Sequence, residues 1–213
     1  MPIICLFGPD GSGKTTITKS LAEKLKYGSL KIRLSWMRGT HTLASIFARL
    51  LYKFPALRGL DNPYYGIFIP SRIKRLWQLI EFMSVLPILL YRFMLPSLFG
   101  YTVIAERFIP DFLVWVSLTT RDSEYFRRVE ARFLLALSMK ADVRVYVTAS
   151  EAELVKRRGW EVNREFLSKQ LKLYNELAKL VGAYKIDTTG RSIKETLNEL
   201  LNVVQQYYVT KKK

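Results

Sequence analysis

The chain has 213 residues and a mass of 24.8 kDa, the size of one domain. With 49% hydrophobic and 24% charged residues it has material for a sizeable core, and global disorder is excluded. Thirty-four Lys and Arg against 18 Asp and Glu leave a formal charge of +16, which bears on partners rather than on fold. Phosphorylated small molecules, nucleic acid and anionic membrane surfaces are the partner classes this charge admits. A single cysteine, Cys5, excludes an intramolecular disulfide and a multi-cysteine zinc site, and a single histidine, His41, excludes a multi-histidine metal centre. An intracellular, cytoplasmic protein is expected on this cysteine usage. The apolar start has no basic n-region and no cleavage site, so no secretory leader is expected. Asn and Gln together number nine, and with plentiful Lys, Arg and Glu this points to a heat-adapted source.

The elements alternate between strand and helix. Ile3 to Phe7 reads as a buried parallel strand closed by Gly8, and Lys14 to Lys26 as a helix with Ile17, Leu21 and Leu25 on one face. Leu30 to Trp36 alternates as a second strand, and His41 to Tyr52 has helical spacing. Phe54 to Pro70, broken by three prolines and two glycines, reads as a loop or a set of short turns. Arg72 to Leu98 reads as helical with breaks at Pro87 and Pro96. Because the apolar stretch Val85 to Ile104 contains two prolines and Arg92, no membrane span is expected, and the stretch is assigned to the core, with a membrane-surface contact as the alternative.

Tyr101 to Ala105 is the next strand. Val114 to Met139 carries helices with a polar joint near Asp122, and Val143 to Val147 is a β-branched strand. Ser150 caps a helix with Glu151 and Glu153 in its first turn. Asn163 to Val181 is amphipathic, Tyr184 to Ile186 a short strand and Ser192 to Tyr207 a closing helix, ahead of a basic tail at 209–213. Alternating β and α units predict a single α/β domain built on one parallel sheet of about five strands with helices on both faces.

The strongest local signal is Gly8-Pro9-Asp10-Gly11-Ser12-Gly13-Lys14-Thr15-Thr16, which fits G-x-x-x-x-G-K-[ST] between a strand and a helix. Glycines let successive N–H groups turn onto phosphate oxygens, and a helix N-terminus adds its positive dipole end. Lys14 is expected to reach the β- and γ-phosphates of ATP and the Thr15 hydroxyl to complete Mg2+ coordination. Gly8, Asp10, Gly11, Ser12, Gly13, Lys14, Thr15 and Thr16 are therefore the candidate nucleotide-binding residues.

This loop resembles that of the thymidylate kinases. Val103-Ile104-Ala105-Glu106-Arg107-Phe108 resembles that family's strand ending in Asp-Arg-Tyr or Asp-Arg-Phe, and Ala141 to Val147 with Glu151 to Arg158 resembles the strand and helix leading into its lid. The resemblance implies an α/β P-loop NTPase three-layer sandwich, the whole chain forming one kinase domain with a short lid around 156–165, and it implies phosphoryl transfer from ATP to a nucleoside monophosphate, dTMP by analogy. It places Asp10 on the acceptor sugar or its neighbouring arginine, and Arg38 and Arg107 on the acceptor phosphate. Glu106 takes the place of the family's Asp, toward magnesium. Arg157, Arg158 and Arg164 fall where lid arginines reach the transferring group. Arginine's planar fork suits such phosphates.

The thymine reader is the point of departure. The family stacks the base on an aromatic residue of the third helix and binds it with an arginine four residues later. Phe82 is here the candidate aromatic, but Leu86 stands four positions on and Arg92 is the next arginine, so Arg72, Arg75 or Trp77 are alternatives. His41 is a candidate acceptor ligand or helix cap. The resemblance and the apolar stretch Leu86 to Leu98 point to a homodimer face. Basic clusters such as Arg72-Lys74-Arg75 and Lys156-Arg157-Arg158 admit a nucleic-acid end as acceptor. A regulatory NTPase is a third reading, against which no Walker B run ending in Asp-Glu is found.

Overall fold

The computed structural model describes residues 2–26, 30–159 and 163–211. In chain order its elements are β1 (Ile3–Phe7), α1 (Lys14–Lys26), β2 (Ile32–Trp36), α2 (Thr42–Tyr52), β3 (Arg58–Asn62), α3 (Lys74–Leu89) and α4 (Leu95–Leu98). There follow β4 (Thr102–Glu106), α5 (Ile109–Thr119), α6 (Val129–Ser138), β5 (Val143–Thr148), α7 (Glu151–Arg158), α8 (Arg164–Leu180), β6 (Tyr184–Asp187) and α9 (Ile193–Lys211). Five strands form one all-parallel sheet in the order β2-β4-β1-β5-β6, with Ile4 at the centre between Ile104 and Val143. Parallel pairing demands long crossovers, and helices supply them on both faces, as a P-loop NTPase-like sandwich requires.

Side chains alternate along each strand and so feed two cores. Cys5, Phe7, Val103, Ala105 and Tyr146 point to the layer of α3, α5, α6 and α8, where they meet Val85, Phe112, Leu134 and Tyr174. Ile4, Leu6, Ile104, Val145 and Val147 point to α1 and α9, where they meet Ile17, Leu21, Leu200 and Val204. Because the buried runs are nearly continuous, only one register keeps both layers filled. The carboxyl ends of β1, β2 and β4 all open on one edge, the place where ligands bind in such sheets.

Three local expectations are corrected. Residues 54–70 are not a loop: β3 folds back through a turn so that Arg58 and Asn62 bridge Ile67, and Ile67, Ile69 and Trp77 form a small core with Ala48 beneath it. α5 begins five residues earlier than expected, at Ile109, with Pro110 in its first turn, where the missing N–H costs nothing. The prolines do not break the third helix. α3 runs through Pro87, a π-type turn covers Leu90–Met94, and the helical path continues to Leu98. Pro87 is exposed and so is Met83, whose carbonyl the proline leaves unbonded, and the wider turn absorbs the ring. Among the described residues Ser71–Leu98 is the one helix long and apolar enough to cross a membrane, yet only 28% of its most apolar window is buried. It is therefore only partly a core segment. The lid positions 160–162 and the tail residues Lys212 and Lys213 lie outside the described residues.

Phe112 is wholly enclosed between the sheet and the helical layer. Phe112→Ala is expected to lower folding stability by about 3–5 kcal/mol, read as a drop in the urea midpoint at unchanged slope.

Candidate active site

The turn between β1 and α1 is a preformed cradle. Gly8, Gly11 and Gly13 have φ of 143°, 87° and 85°, which other residues reach only under strain. A Cβ on Gly8 would stand 2.0 Å from the carbonyl oxygen of Val147. Lys14, the first residue of α1, is buried, and its ammonium folds back to donate to the Pro9 carbonyl and, at 3.3 Å, to Ser12 Oγ. Burial pushes its pKa down to about 8; Arg107 and Arg38 act the same way, while Asp111 and Asp10 oppose them. Thr15 and Thr16 are exposed on the first turn, and the Thr15 hydroxyl donates to the Glu106 carboxylate.

Asp10 rises from the same loop and bridges two arginines from other strand ends. Arg38 Nη2 lies 2.6 Å from its Oδ2, and Arg107 Nη2 donates to its Oδ1. Burial opposes ionisation of Asp10, but Arg107, Arg38 and Lys14 together hold its carboxyl far below the usual range. Arg107 follows β4 in the left-handed region at φ 66°, with its N–H donating to Leu6 O at 3.0 Å. Behind it the buried Asp111 accepts from the N–H groups of Gly8 and Phe108 and from the Tyr174 hydroxyl at 2.8 Å.

Arg38 opens a strained turn that is anchored at Thr40. Thr40 and Thr42 are left-handed, at φ 57° and 42°. Thr40 donates its N–H and its hydroxyl to the two oxygens of Glu81, each at 2.6 Å. The same hydroxyl accepts from Asn62 Nδ2 at 2.9 Å and from Trp115 Nε1 at 3.0 Å. Four hydrogen bonds from three elements, α3, β3 and α5, therefore fix one threonine. Gly39 is required beside it, since a Cβ there would sit 1.7 Å from the Trp115 ring. Tyr64 hydrogen-bonds to Arg38, whose guanidinium lies 4.7 Å from its ring centre and 5.1 Å from that of Trp115.

His41, Phe82 and the lid arginines are placed differently. His41 Nε2 accepts from the Arg38 N–H at 3.0 Å, with its ring edge-on to Trp36. Burial, with Arg92 and Arg38 nearby, lowers its pKa, so the neutral ring braces the turn. Phe82 turns away from the phosphate loop. It packs edge-on against Phe133 in a shallow apolar groove with Leu79, Leu86 and Val129. The inward face of α3 instead carries Gln78, Glu81 and Ser84, all bonded within the protein. Arg72 is exposed, Arg75 pairs with Glu130 and Trp77 is in the core, so none of the alternatives stands at the cleft. Arg157 ties α7 to the cradle through the Gly11 carbonyl at 3.3 Å and to Thr188 at 2.9 Å, while the aliphatic stem of Arg158 covers Gly11. Arg164 is exposed at the start of α8. A concavity of about 1300 Å³ between α5, α6 and α8 contains no residue of the phosphate loop and is a separate feature.

Sequence reasoning missed Thr40, Glu81, Asn62, Tyr64 and Trp115. The one available signal was an acidic residue, Glu81, inside an apolar helix.

The residues present fit a nucleotide and its magnesium ion. Left-handed glycines, a helix N-terminus and a buried ammonium suit a triphosphate. Among the described residues no group of three metal-ligating side chains occurs, so the ion would rest on Thr15 and phosphate oxygens with Glu106 behind.

The parallel sheet and the loop define the fold of the P-loop NTPases. A family model described as "ATPase family associated with various cellular activities (AAA)" matches residues 4–85. Two similar solved structures are thymidylate kinases. That of Candida albicans is 18% identical at a TM-score of 0.65, over 96% of this chain and 91% of its own, and is described as revealing the origin of broad substrate specificity. That of Ehrlichia chaffeensis is 20% identical at a TM-score of 0.57, over 96% and 98%. No curated protein sequence matches the chain. The chain thus has the thymidylate kinase fold along nearly its whole length.

Glu81 supplies a test of the anchored turn. Burial raises its pKa from 4.5 to about 7 despite the Thr40 hydrogen bonds. The folded state then holds a proton that the unfolded state has released. Folding stability should therefore fall as pH rises from 4.5 to about 7, by about 3 kcal/mol in total. Urea melts across this range check the slope, and Glu81→Gln should flatten it.

Proposed function

We propose that this chain is an ATP-dependent nucleotide kinase that moves the γ-phosphoryl group to the phosphate of a nucleoside monophosphate, with dTMP the first acceptor to test. The observation that carries the reading is the Asp10 carboxylate held between Arg38 and Arg107 beside the buried Lys14. Three strand ends converge there. A phosphate cradle faces a pair of guanidinium groups, which is what two negatively charged reactants need in order to meet.

Phosphoryl transfer asks the protein for alignment and charge neutralisation rather than for a nucleophile. The loop N–H groups and Lys14 hold the ATP phosphates. Arg38 and Arg107 bind the acceptor phosphate, and Asp10 keeps their forks parallel until it arrives. One phosphate oxygen of the acceptor forms the new P–O bond as the bond to the bridging oxygen of ADP breaks, giving ADP and a nucleoside diphosphate. Magnesium, when bound at Thr15, neutralises charge on the β- and γ-oxygens. Arg157 and Arg158 reach the cradle from α7 and are proposed as its positive cover, since charge spreads over the equatorial oxygens in transfer.

The acceptor is left broad by α3, which has no free group with which to read a base. A screen of all nucleoside monophosphates and short oligonucleotides with ATP and magnesium tests the reading. Acceptor-dependent ADP release is expected, and ATP hydrolysis indifferent to every acceptor overturns it.

Lys14→Ala should lower kcat by about 100- to 1000-fold, measured in a coupled ADP assay. Arg107→Ala should raise the acceptor KM by about tenfold or more while the KM for ATP changes little. Phosphate binding favours the charged form of Lys14. Affinity for a non-hydrolysable ATP analogue should therefore be full below a pH of about 8 and decline above it, by up to about tenfold per unit, in titration calorimetry.

A further inference from the structure

Arg38 has a neighbour that phosphate chemistry alone does not call for. Tyr64 is 62% exposed, yet its hydroxyl is bonded to Arg38. Its ring centre lies 4.7 Å from that guanidinium and 5.1 Å from the ring centre of Trp115. An aromatic side chain in a surface turn therefore leans on the residue that would hold the acceptor phosphate.

The turn that carries Tyr64 is stiff. Pro63 fixes one backbone torsion, and the N–H groups of Tyr65 and Gly66 both donate to the Asn62 carbonyl, at 3.2 and 2.9 Å. Gly66 is left-handed at φ 61°, and a Cβ there would stand 3.1 Å from the Tyr52 ring. Across the hairpin the Gly59 N–H donates to the Gly66 carbonyl and the Phe68 N–H to that of Leu57. Residues on both sides of Tyr64 reach Thr40: Asn62 Nδ2 donates to its hydroxyl at 2.9 Å, and the Tyr65 hydroxyl to its carbonyl at 3.4 Å. Thr40 stands two residues beyond Arg38. Hairpin and arginine turn are thus tied into one unit, and Tyr64 is in place before any ligand arrives.

Neighbouring groups are spent elsewhere. Trp115 is only 7% exposed and donates its Nε1–H to Thr40. Gln78, Glu81 and Ser84 on the inward face of α3 are bonded within the protein, and Phe82 packs on Phe133. A molecule held by its phosphate on Arg38 meets the exposed ring of Tyr64 next.

On the nucleotide kinase reading, on which this rests, we propose that Tyr64 is the platform for the acceptor's base. The group joined to the acceptor phosphate is a planar nucleobase, and it stacks on the ring of Tyr64 instead of on α3. Every base has a π-face, so such stacking is strong without telling one base from another. A sugar phosphate would engage the arginine pair and leave the ring bare. The site therefore selects base-bearing acceptors over base-free ones and is tolerant of which base it receives.

Titration calorimetry of the full chain tests this, with a non-hydrolysable ATP analogue and magnesium filling the phosphate loop. The probes are dTMP, dGMP and 2-deoxyribose 5-phosphate. Wild-type protein is expected to bind both nucleotides about tenfold or more tighter than the sugar phosphate. Tyr64→Ala should abolish that difference by weakening the nucleotides alone, and Tyr64→Phe, which keeps the ring, should retain it. Arg107→Ala should weaken all three probes alike, because it acts on the phosphate they share. Each ratio is taken between probes within one protein, so partial loss of folded material does not imitate the effect. Wild-type protein that binds the sugar phosphate as tightly as the nucleotides overturns the platform and leaves the phosphate site standing. So does Tyr64→Ala protein in which all three probes weaken equally, or none does. Wild-type protein that binds none of the three removes the kinase reading, and the platform with it.

Discussion

The active edge of this molecule is organised by one carboxylate. Among the described residues Asp10 is the only acid paired with both Arg38 and Arg107, and those two guanidinium groups come from the ends of β2 and β4, strands on one side of β1. Two like charges at close range repel, the more so when part-buried. The carboxylate makes their approach favourable, which explains its resistance to protonation. The sheet order is thereby coupled to the site: only because β4 lies between β1 and β2 do all three termini meet over the phosphate loop.

A second layer holds this arrangement in place. The Thr40 hydroxyl joins α3 through Glu81, the β3 hairpin through Asn62 and α5 through Trp115. Each link is buried, so losing any one leaves a polar group unsatisfied, at a cost of about 1–3 kcal/mol. Asp111 does the same for the other arginine, gathering N–H groups from both flanking loops. The guanidinium groups are thus held rigidly before any ligand arrives, which favours electrostatic catalysis.

Much of this could be read in the sequence, for physical reasons. Buried parallel strands are short uninterrupted apolar runs, and a phosphate loop needs its glycines and lysine at fixed spacing, so the strand, turn and helix start from Ile3 to Thr16 were legible. The meeting of Arg38 and Arg107 beside that loop was legible from the resemblance, because both follow strands whose ends open on one edge. What escaped depends on tertiary contact. The β3 hairpin has turn-forming residues and no alternation, and it is held by Ile67 and Ile69 packing on Trp77. Phe82 had the right type on the right helix, yet about a quarter turn separates it from Glu81 on the inward face, a rotation that composition cannot reveal. The prolines of the third helix misled because the carbonyls they orphan find other surroundings: that of Met83 lies on an exposed residue, and that of Arg92 accepts from Ser35.

The backbone at Arg107 has a consequence of its own. A non-glycine residue with φ 66° sits above its conformational minimum by about 1–2 kcal/mol. Glycine would relax that torsion and leave the neighbouring strand intact, but Asp10 and the buried Asp111 would both lose the guanidinium that faces them. Torsional strain and charge pairing are thus tied together at a single residue, and neither can be removed without the other.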